Sequence, residues 1–178
     1  MSWLNRIFGG PQDMAALTAG TKAPDIALSG VDGTKFFLQD ALKKGPVIAA
    51  FFKISCPVCQ YTFPFLERLH KAHGNQQVTI VGISQDDQRN TDAFLREYGV
   101  TFLTLLDDPK GYPVSNAYGL TNVPTLFLIG QDGEIEISSV GWVKKDIEEL
   151  NRNLANLKKI PSPQLFKPGE EVRDFRAG

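Results

Sequence analysis

Two unbroken apolar runs limit the possible folds of this chain more than any other feature of the sequence. Residues 46–54 read PVIAAFFKI, and residues 77–84 read QVTIVGIS. An apolar run of this length, without polar alternation, is typical of a strand that is covered on both faces. Such strands lie in sheets with helices on either side, so the two runs predict the centre of an α/β domain.

Segments with a helical period follow these strands. After the first run, Phe63, Leu66 and Leu69 recur at helical spacing, and Gly74 ends the pattern. Further helical patterns cover residues 87–99, 113–120 and 143–159, and a short strand is predicted within residues 101–108. Alternating strands and helices are joined by parallel crossovers, so the middle of the sheet is predicted to be parallel.

Two Asp-Gly pairs predict hairpins at the sides of this sheet. Asp32-Gly33 lies between residues 25–30 and 35–40, and Asp132-Gly133 divides the apolar stretch 125–141. Asp-Gly between strand-like segments favours the tight turns that hairpins require. The sequence therefore predicts a mixed α/β fold, with a hairpin near its start, helices on both faces and an antiparallel edge.

Length and composition indicate one domain with extensions. A chain of 178 residues with 42% hydrophobic content can bury one core. We predict an N-terminal extension over residues 1–19, a domain over 20–158 and an extended tail, rich in Pro and polar residues, over 159–178. The 19 basic and 20 acidic side chains leave no positive excess, so a nucleic-acid partner is not expected.

Neither a membrane span nor a secretory signal is predicted, because no apolar run approaches the roughly 20 residues that cross a bilayer. Trp3, Leu4, Ile7 and Phe8 fit one amphipathic turn, for which docking on the domain is expected and membrane contact is the alternative. Two cysteines are too few for a disulfide-stapled secreted scaffold. We therefore predict a cytoplasmic protein without membrane association.

The two cysteines, Cys56 and Cys59, lie where the first buried strand gives way to a helix. The free N–H groups and the positive dipole end of a helix stabilise an anion, which favours a thiolate at Cys56. Pro57 suits the first helical position, where its missing N–H removes no hydrogen bond. Cys59 follows one turn later on the same side, close enough for a disulfide, which predicts a redox pair.

Two other interpretations of the cysteines remain open. His70 and His73 follow the pair and suggest a zinc site, but about 11 residues of helix would separate His70 from Cys59 by about 16 Å. We therefore expect no metal and place both histidines on the surface at the helix end, where a cation suits the dipole. The cysteines are otherwise two buried structural residues, although the strand-to-helix junction and Pro57 count against that alternative.

Together these motifs resemble the thioredoxin superfamily, in its TlpA-like redoxin branch, which is also grouped with the AhpC/TSA proteins. The resemblance extends over roughly residues 20–157. It rests on the motifs APDIALSGVDG, FFKISCPVC, GVTFLTLLDD, AYGLTNVPTLFLIGQDGEI and VGW, in this order. It implies a thioredoxin-like fold and an enzyme that exchanges thiols and disulfides without a metal or an organic cofactor.

The resemblance also implies roles for individual residues. Cys56 is then the attacking cysteine and Cys59 the resolving one, while Pro64 matches a proline that kinks the helix. Pro124 matches a proline that is cis in this fold and lies opposite the cysteines. A cis bond would turn the Val123 backbone outward to pair with an extended substrate. Pro57, Val123 and Pro124 are therefore the predicted substrate contacts.

Several positions depart from the thioredoxin pattern. Ser55 replaces the usual Trp before the first cysteine, and Gln60 replaces the basic residue common after the second. Ala50 stands where thioredoxins carry a buried Asp that helps to move a proton, so the sequence does not indicate the proton route. Lys53 favours the thiolate through its charge or is simply solvated.

The leading hypothesis is a thiol-disulfide oxidoreductase that acts on a disulfide-containing protein or a small thiol substrate and is recycled by an upstream reductant. The second is a peroxidase of the peroxiredoxin type. Peroxiredoxins carry a Thr three residues before their reactive Cys, and Cys56 occupies that place before Cys59. The third is a redox-inert module that binds a protein partner.

Overall fold

A computed structural model of the protein describes residues 15–74 and 77–178. In it the strands form a mixed sheet, and helices connect them. The strands are β1 (Ala27–Gly30), β2 (Lys35–Phe37), β3 (Val47–Phe52), β4 (Thr79–Ser84), β5 (Thr104–Leu106), β6 (Thr125–Ile129), β7 (Ile135–Val140), β8 (Trp142–Val143) and β9 (Phe175–Arg176). The helices are α1 (Leu38–Leu42), α2 (Pro57–His73), α3 (Gln88–Glu97), α4 (Pro113–Ala117) and α5 (Lys144–Lys158).

Seven of these strands form one sheet in the order β2-β1-β5-β4-β3-β6-β7. The two apolar runs supply β3 and β4, which pair in parallel, and β5 extends the parallel part on the far side of β4. The Asp32-Gly33 and Asp132-Gly133 hairpins supply the antiparallel pairs β1–β2 and β6–β7. The predicted mixed sheet is therefore confirmed.

The central strand β3 has a hydrophobic cluster on each face, which explains its unbroken apolar sequence. Ile48, Ala50 and Phe52 belong to one cluster, together with side chains of α2, α3 and α5. The alternate residues of β3 belong to the other cluster, with side chains of α1, the first hairpin and the chain around α4. Successive strand residues point to opposite faces, so both faces need apolar side chains and both carry helices, as predicted.

One feature of the fold differs from the sequence prediction, and another cannot be compared with it. The segment read as the second strand of the first hairpin stops at Phe37, and α1 begins at the next residue. Leu38 and Leu42 are buried one helical turn apart, a spacing too short to stand out as a pattern in the sequence. The amphipathic turn predicted for Trp3, Leu4, Ile7 and Phe8 lies outside the described residues.

The tail after α5 lies along the domain. Leu165 is buried, and its carbonyl oxygen accepts a hydrogen bond from the Arg68 guanidinium at 3.0 Å. The same guanidinium forms two bonds to the Glu170 carboxylate, at 2.8 and 2.7 Å. The tail ends in β9, which pairs antiparallel with β8. Its only regular element is this short strand, and its docking on α2 has no counterpart in the sequence prediction.

None of the helices in the described ranges combines the length and the apolar character that crossing a bilayer requires.

Candidate active site

The cysteine pair lies at the junction predicted from the sequence. β3 ends at Phe52, and α2 begins at Pro57 after a short turn. Cys56 is the residue that caps α2, with extended backbone angles of φ −83° and ψ 114°. Pro57 occupies the first turn, where no intrahelical N–H bond is lost. The end of a buried strand and a proline-started helix therefore fix where the first sulfur lies.

The Cys56 sulfur has two backbone contacts. It accepts a hydrogen bond from the Cys59 N–H at 3.3 Å, one of the free donors at the start of α2. Its own S–H donates to the Val123 carbonyl oxygen at 3.3 Å. The first contact stabilises the thiolate, whereas the second exists only while the proton is on sulfur. Since Cys56 is half-buried, solvent and small molecules reach this sulfur.

The second cysteine has a different environment. Cys59 is fully buried in the hydrophobic cluster on the α2 face of the sheet. Burial raises the pKa of the Cys59 thiol far above its usual value, and the neighbouring Cys56 and Asp86 raise it further, against an opposing backbone contact from Lys53. The two sulfurs one turn apart therefore differ sharply: one is accessible, and the other is held as a neutral thiol.

The Val123–Pro124 peptide bond is cis, as the resemblance implied. It brings the Val123 carbonyl to the Cys56 sulfur, although the two residues are 67 positions apart in the chain. The Pro124 carbonyl in turn accepts a hydrogen bond from the Gly141 N–H at 2.8 Å. No group in the described ranges accepts a hydrogen bond from the Val123 N–H. One donor of this loop is therefore unused beside the sulfur.

The structure adds one polar residue that sequence reasoning missed. Asp86 follows β4, and its carboxylate accepts a hydrogen bond from the Ile54 N–H at 2.8 Å. Gln60 donates from its side chain to the carbonyl of the same residue at 2.9 Å. These two bonds hold the turn that precedes Cys56. Parallel neighbours β3 and β4 end at the same sheet edge, and this rule could have indicated Asp86.

The position of the missing thioredoxin acid is apolar here. Ala50 is fully buried and belongs to the same cluster as Cys59. The buried carboxylate of α2, Glu67, instead accepts hydrogen bonds from the backbone and hydroxyl of Thr101, at 2.8 and 2.6 Å. Asp86 is therefore the carboxylate whose charge acts on Cys59.

The histidines do not both lie on the surface. His73 is only 1% exposed, and its Nε2 lies 2.7 Å from the Asn151 side-chain oxygen. The expectation of a surface residue was wrong for His73, because α5 packs over this end of α2 and buries it. His70 is half-buried against Phe102. Within residues 15–74 and 77–178, no three side chains of the metal-ligating types form a cluster.

A cavity of about 280 Å³ with mixed polar and apolar walls adjoins the site on the side of Val123. Its lining residues are Lys53, Gln85, Tyr112, Asn116, Leu120, Thr121, Asn122 and Val123. Lys53 is exposed at its rim, and no carboxylate in the described residues pairs with its ammonium group.

Comparisons with known proteins agree with this geometry. Residues 19–138 match the profile of the AhpC/TSA family. The chain belongs to the AhpC/TSA family, in the redoxin branch of the thioredoxin superfamily. It is 30% identical to thiol-disulfide oxidoreductase ResA of Bacillus subtilis, over 93% of this chain and 84% of that protein. It is also 30% identical to ResA of Halalkalibacterium halodurans, over 78% of each chain.

Solved structures show the same fold. A thiol:disulfide interchange protein of the thioredoxin family from Chlorobium tepidum superposes with a TM-score of 0.65 at 26% identity. The match covers 79% of this chain and 99% of the other. Together with the ResA relatives, this likeness identifies the AhpC/TSA family member described here as an oxidoreductase.

Proposed function

We propose that the protein exchanges thiols and disulfides through Cys56 and Cys59. The observation that carries this proposal is the position of the Cys56 sulfur. This sulfur caps α2, accepts a hydrogen bond from the Cys59 N–H at 3.3 Å and contacts the Val123 carbonyl oxygen at 3.3 Å. ResA relatives over most of the chain support the same reaction class.

The reaction transfers two electrons from the dithiol to the substrate. The Cys56 thiolate attacks one sulfur of the substrate disulfide, which forms a mixed disulfide and releases the other substrate sulfur as a thiolate. Cys59 then loses its proton and attacks the Cys56 sulfur. This second step releases the remaining substrate thiolate and leaves a Cys56–Cys59 disulfide. An external dithiol reduces that disulfide and restores the starting form.

Burial suits Cys59 to the second step. Because burial raises the pKa of its thiol, Cys59 stays protonated while Cys56 attacks the substrate. The thiol then needs a proton acceptor. Asp86 is the candidate: it accepts the Ile54 N–H at the turn before Cys56, and its charge acts on Cys59. In this proposal Asp86 takes the proton-accepting role that a buried Asp at the position of Ala50 has in thioredoxins.

The substrates are disulfide-containing proteins or small disulfides, and Pro57, Val123 and Pro124 contact them. The Val123 N–H has no partner within the described residues and offers a donor to an extended segment. No metal or organic cofactor takes part in this chemistry. A cytoplasmic location remains a prediction from the sequence; in that compartment the dithiol form, and so a reducing role, is favoured.

Insulin reduction tests the proposal. The reduced protein, recycled with dithiothreitol, is expected to accelerate insulin reduction, and Cys56→Ser is expected to abolish the acceleration. An unchanged urea midpoint shows that the variant is folded. An accelerated rate that is undiminished in Cys56→Ser contradicts the proposal, and a rate no higher than that of dithiothreitol alone in both proteins leaves the redox-inert binding module.

Hydrogen peroxide separates the second hypothesis from the first. We expect the reduced protein to be oxidised by peroxide at the rate of an ordinary thiol, because the peroxiredoxin Thr position holds Cys56. A large acceleration, lost in Cys59→Ser, would instead support a peroxidase with Cys59 as its reactive residue. The observable is the decay of free thiols after mixing.

A further inference from the structure

Residues 172–178 lie against the candidate active site, and we name this segment the strap. Its first part is fixed to the core. The Arg173 carbonyl accepts a hydrogen bond from the Trp142 indole N–H at 2.6 Å, and the Arg173 N–H donates to the Tyr61 hydroxyl at 3.1 Å. Trp142 is fully buried, so this anchor positions the segment that follows.

The strap then continues as β9, paired with β8 in a register that sets Arg176 opposite Trp142. The Arg176 guanidinium lies over the Tyr61 ring, 5.0 Å from its centroid. This pairing directs the remaining residues toward the loop that carries Pro124.

The end of the strap reaches the carbonyl that contacts the first cysteine. The Asn122 side chain donates a hydrogen bond to the Gly178 carbonyl oxygen at 3.1 Å. A Cβ added at Gly178 would lie 2.5 Å from the Val123 oxygen and 3.3 Å from the Gly141 Cα, so the backbone there is in close contact with both. The Val123 oxygen is also the acceptor of the Cys56 S–H. Gly178 of the strap and the Cys56 sulfur therefore both lie against the Val123 carbonyl.

This contact restricts what can approach Val123. An extended partner chain pairs through both the N–H and the C=O of a residue and lies about 4.8 Å away. The space beside the Val123 carbonyl already holds Gly178, whereas no group in the described residues accepts a hydrogen bond from the Val123 N–H. A protein segment that pairs fully with Val123 has to displace Gly178. A small disulfide needs contact only with the half-buried Cys56 sulfur.

We propose that the strap is a specificity-determining element, which favours small disulfides over extended protein segments until its end moves aside. The inference rests on the proposed thiol-disulfide exchange. Gly178 is suited to movement, since it is exposed and a single side-chain hydrogen bond from the described residues holds it. The β8–β9 pairs and the Arg173 bonds stay in place when Gly178 moves.

Two variants release the end of the strap without removing its anchor. Deletion of residues 177–178 removes the contact with Val123 and keeps β9. Asn122→Ala removes the hydrogen bond to Gly178 and leaves the chain intact. The matched control is Asn153→Ala, because Asn153 is an exposed residue of α5 whose side chain bonds only to the Glu149 carbonyl.

The measurement is kcat/KM for insulin and for hydroxyethyl disulfide, with dithiothreitol as reductant. Loss of one hydrogen bond corresponds to about a fivefold change, so the insulin value is expected to rise about fivefold in both release variants. The hydroxyethyl disulfide value should change by less than about twofold, and the control should match the unmodified protein in both assays.

An unchanged ratio of the two values in both release variants overturns the proposal, as does a fall in insulin reduction, which would make the strap part of the binding surface. If the deletion variant does not fold, Asn122→Ala decides. The Cys56→Ser protein separates the two proposals. If it keeps both activities, the proposed thiol-disulfide exchange is wrong. If it is inactive while the release variants change nothing, only the role of the strap is wrong.

Discussion

The amino end of α2 holds a half-buried sulfur with two backbone contacts, whereas the carboxyl end holds a fully buried imidazole whose Nε2 has one side-chain partner. Cys56 contacts the Cys59 N–H and the Val123 carbonyl, both at 3.3 Å. His73 lies 2.7 Å from Asn151, whose amide donates to the Pro163 carbonyl, also at 2.7 Å. One helix therefore carries a site that can change partners at one end and a fixed polar link at the other.

The difference teaches how burial separates reactivity from stability. A polar group that solvent reaches can exchange one partner for another at little cost, as a nucleophile must. A polar group that is buried needs its partner, because an unsatisfied donor or acceptor there is expensive. The predictions below test the two ends of α2 and the contacts between them.

The largest effect is expected at the amino end. Cys59→Ser removes the resolving sulfur, so turnover should fall at least about 100-fold while Cys56 still attacks the substrate. The mixed disulfide should accumulate and be visible as an added mass on the intact protein. If the Cys59→Ser protein turns over normally and no adduct accumulates, Cys59 does not resolve a mixed disulfide, and its role, like that of His73, is structural.

At the carboxyl end we expect a loss of stability without a loss of chemistry. Asn151→Leu leaves the buried His73 nitrogen and the Pro163 carbonyl without this partner, which should lower the free energy of unfolding by about 2 kcal/mol. Urea unfolding measures the change, and the rate per folded molecule should stay constant. Asn153→Ala is the control, because Asn153 lies in α5 like Asn151 but is exposed. An equal loss of stability in this control would contradict a specific role of the His73–Asn151 contact.

The middle of α2 gives a pH-dependent contact. The Arg68 guanidinium lowers the pKa of the Glu170 carboxyl from 4.5 to about 2, helped by the Lys167 N–H. The folded-state pKa is depressed, so this contribution to tail docking is complete above about pH 4.5 and is lost as pH falls toward 2. The protection factor of the Lys167 amide, which is its hydrogen-exchange rate relative to the unprotected rate at the same pH, should fall across that window.

Glu170→Gln provides the comparison for this titration. The variant should show a lower protection factor at Lys167 already at neutral pH, and this factor should change less between pH 4.5 and 2 than in the unmodified protein. Glu171→Gln, at the exposed neighbouring position, should behave like the unmodified protein. An identical profile in all three proteins would mean that the Arg68 pair does not hold the tail.

The smallest effect concerns the second step of the proposed reaction. Asp86→Asn keeps an acceptor for the Ile54 N–H but removes a negative charge that raises the pKa of the Cys59 thiol. Because Asp86 is proposed to accept the Cys59 proton, resolution of a mixed disulfide should become about twofold slower at pH 7. Faster resolution would instead mean that Asp86 acts on Cys59 only through its charge. Stopped-flow release of a chromogenic thiol distinguishes the two outcomes.

Much of the architecture could be predicted from the chain alone. The runs that became β3 and β4 are almost entirely apolar because both faces of the sheet are covered, so the sequence carries that information locally. The turn residues Asp32-Gly33 and Asp132-Gly133 likewise act through their own backbone preferences. The position of Cys56 at the start of α2 was predicted from the same kind of local signal, since Pro57 favours the first turn of a helix.

Contacts between distant parts of the chain were decided only by tertiary structure. Asp86 at the cysteine turn, the burial of His73 under α5 and the strap at Val123 join residues 32 to 78 positions apart. No periodicity or local preference encodes such contacts, since they arise from how packed elements bring polar groups together. The sequence by itself determined where the sulfur that we propose as the nucleophile lies. The fold decided which groups surround it, because burial and charge act through space.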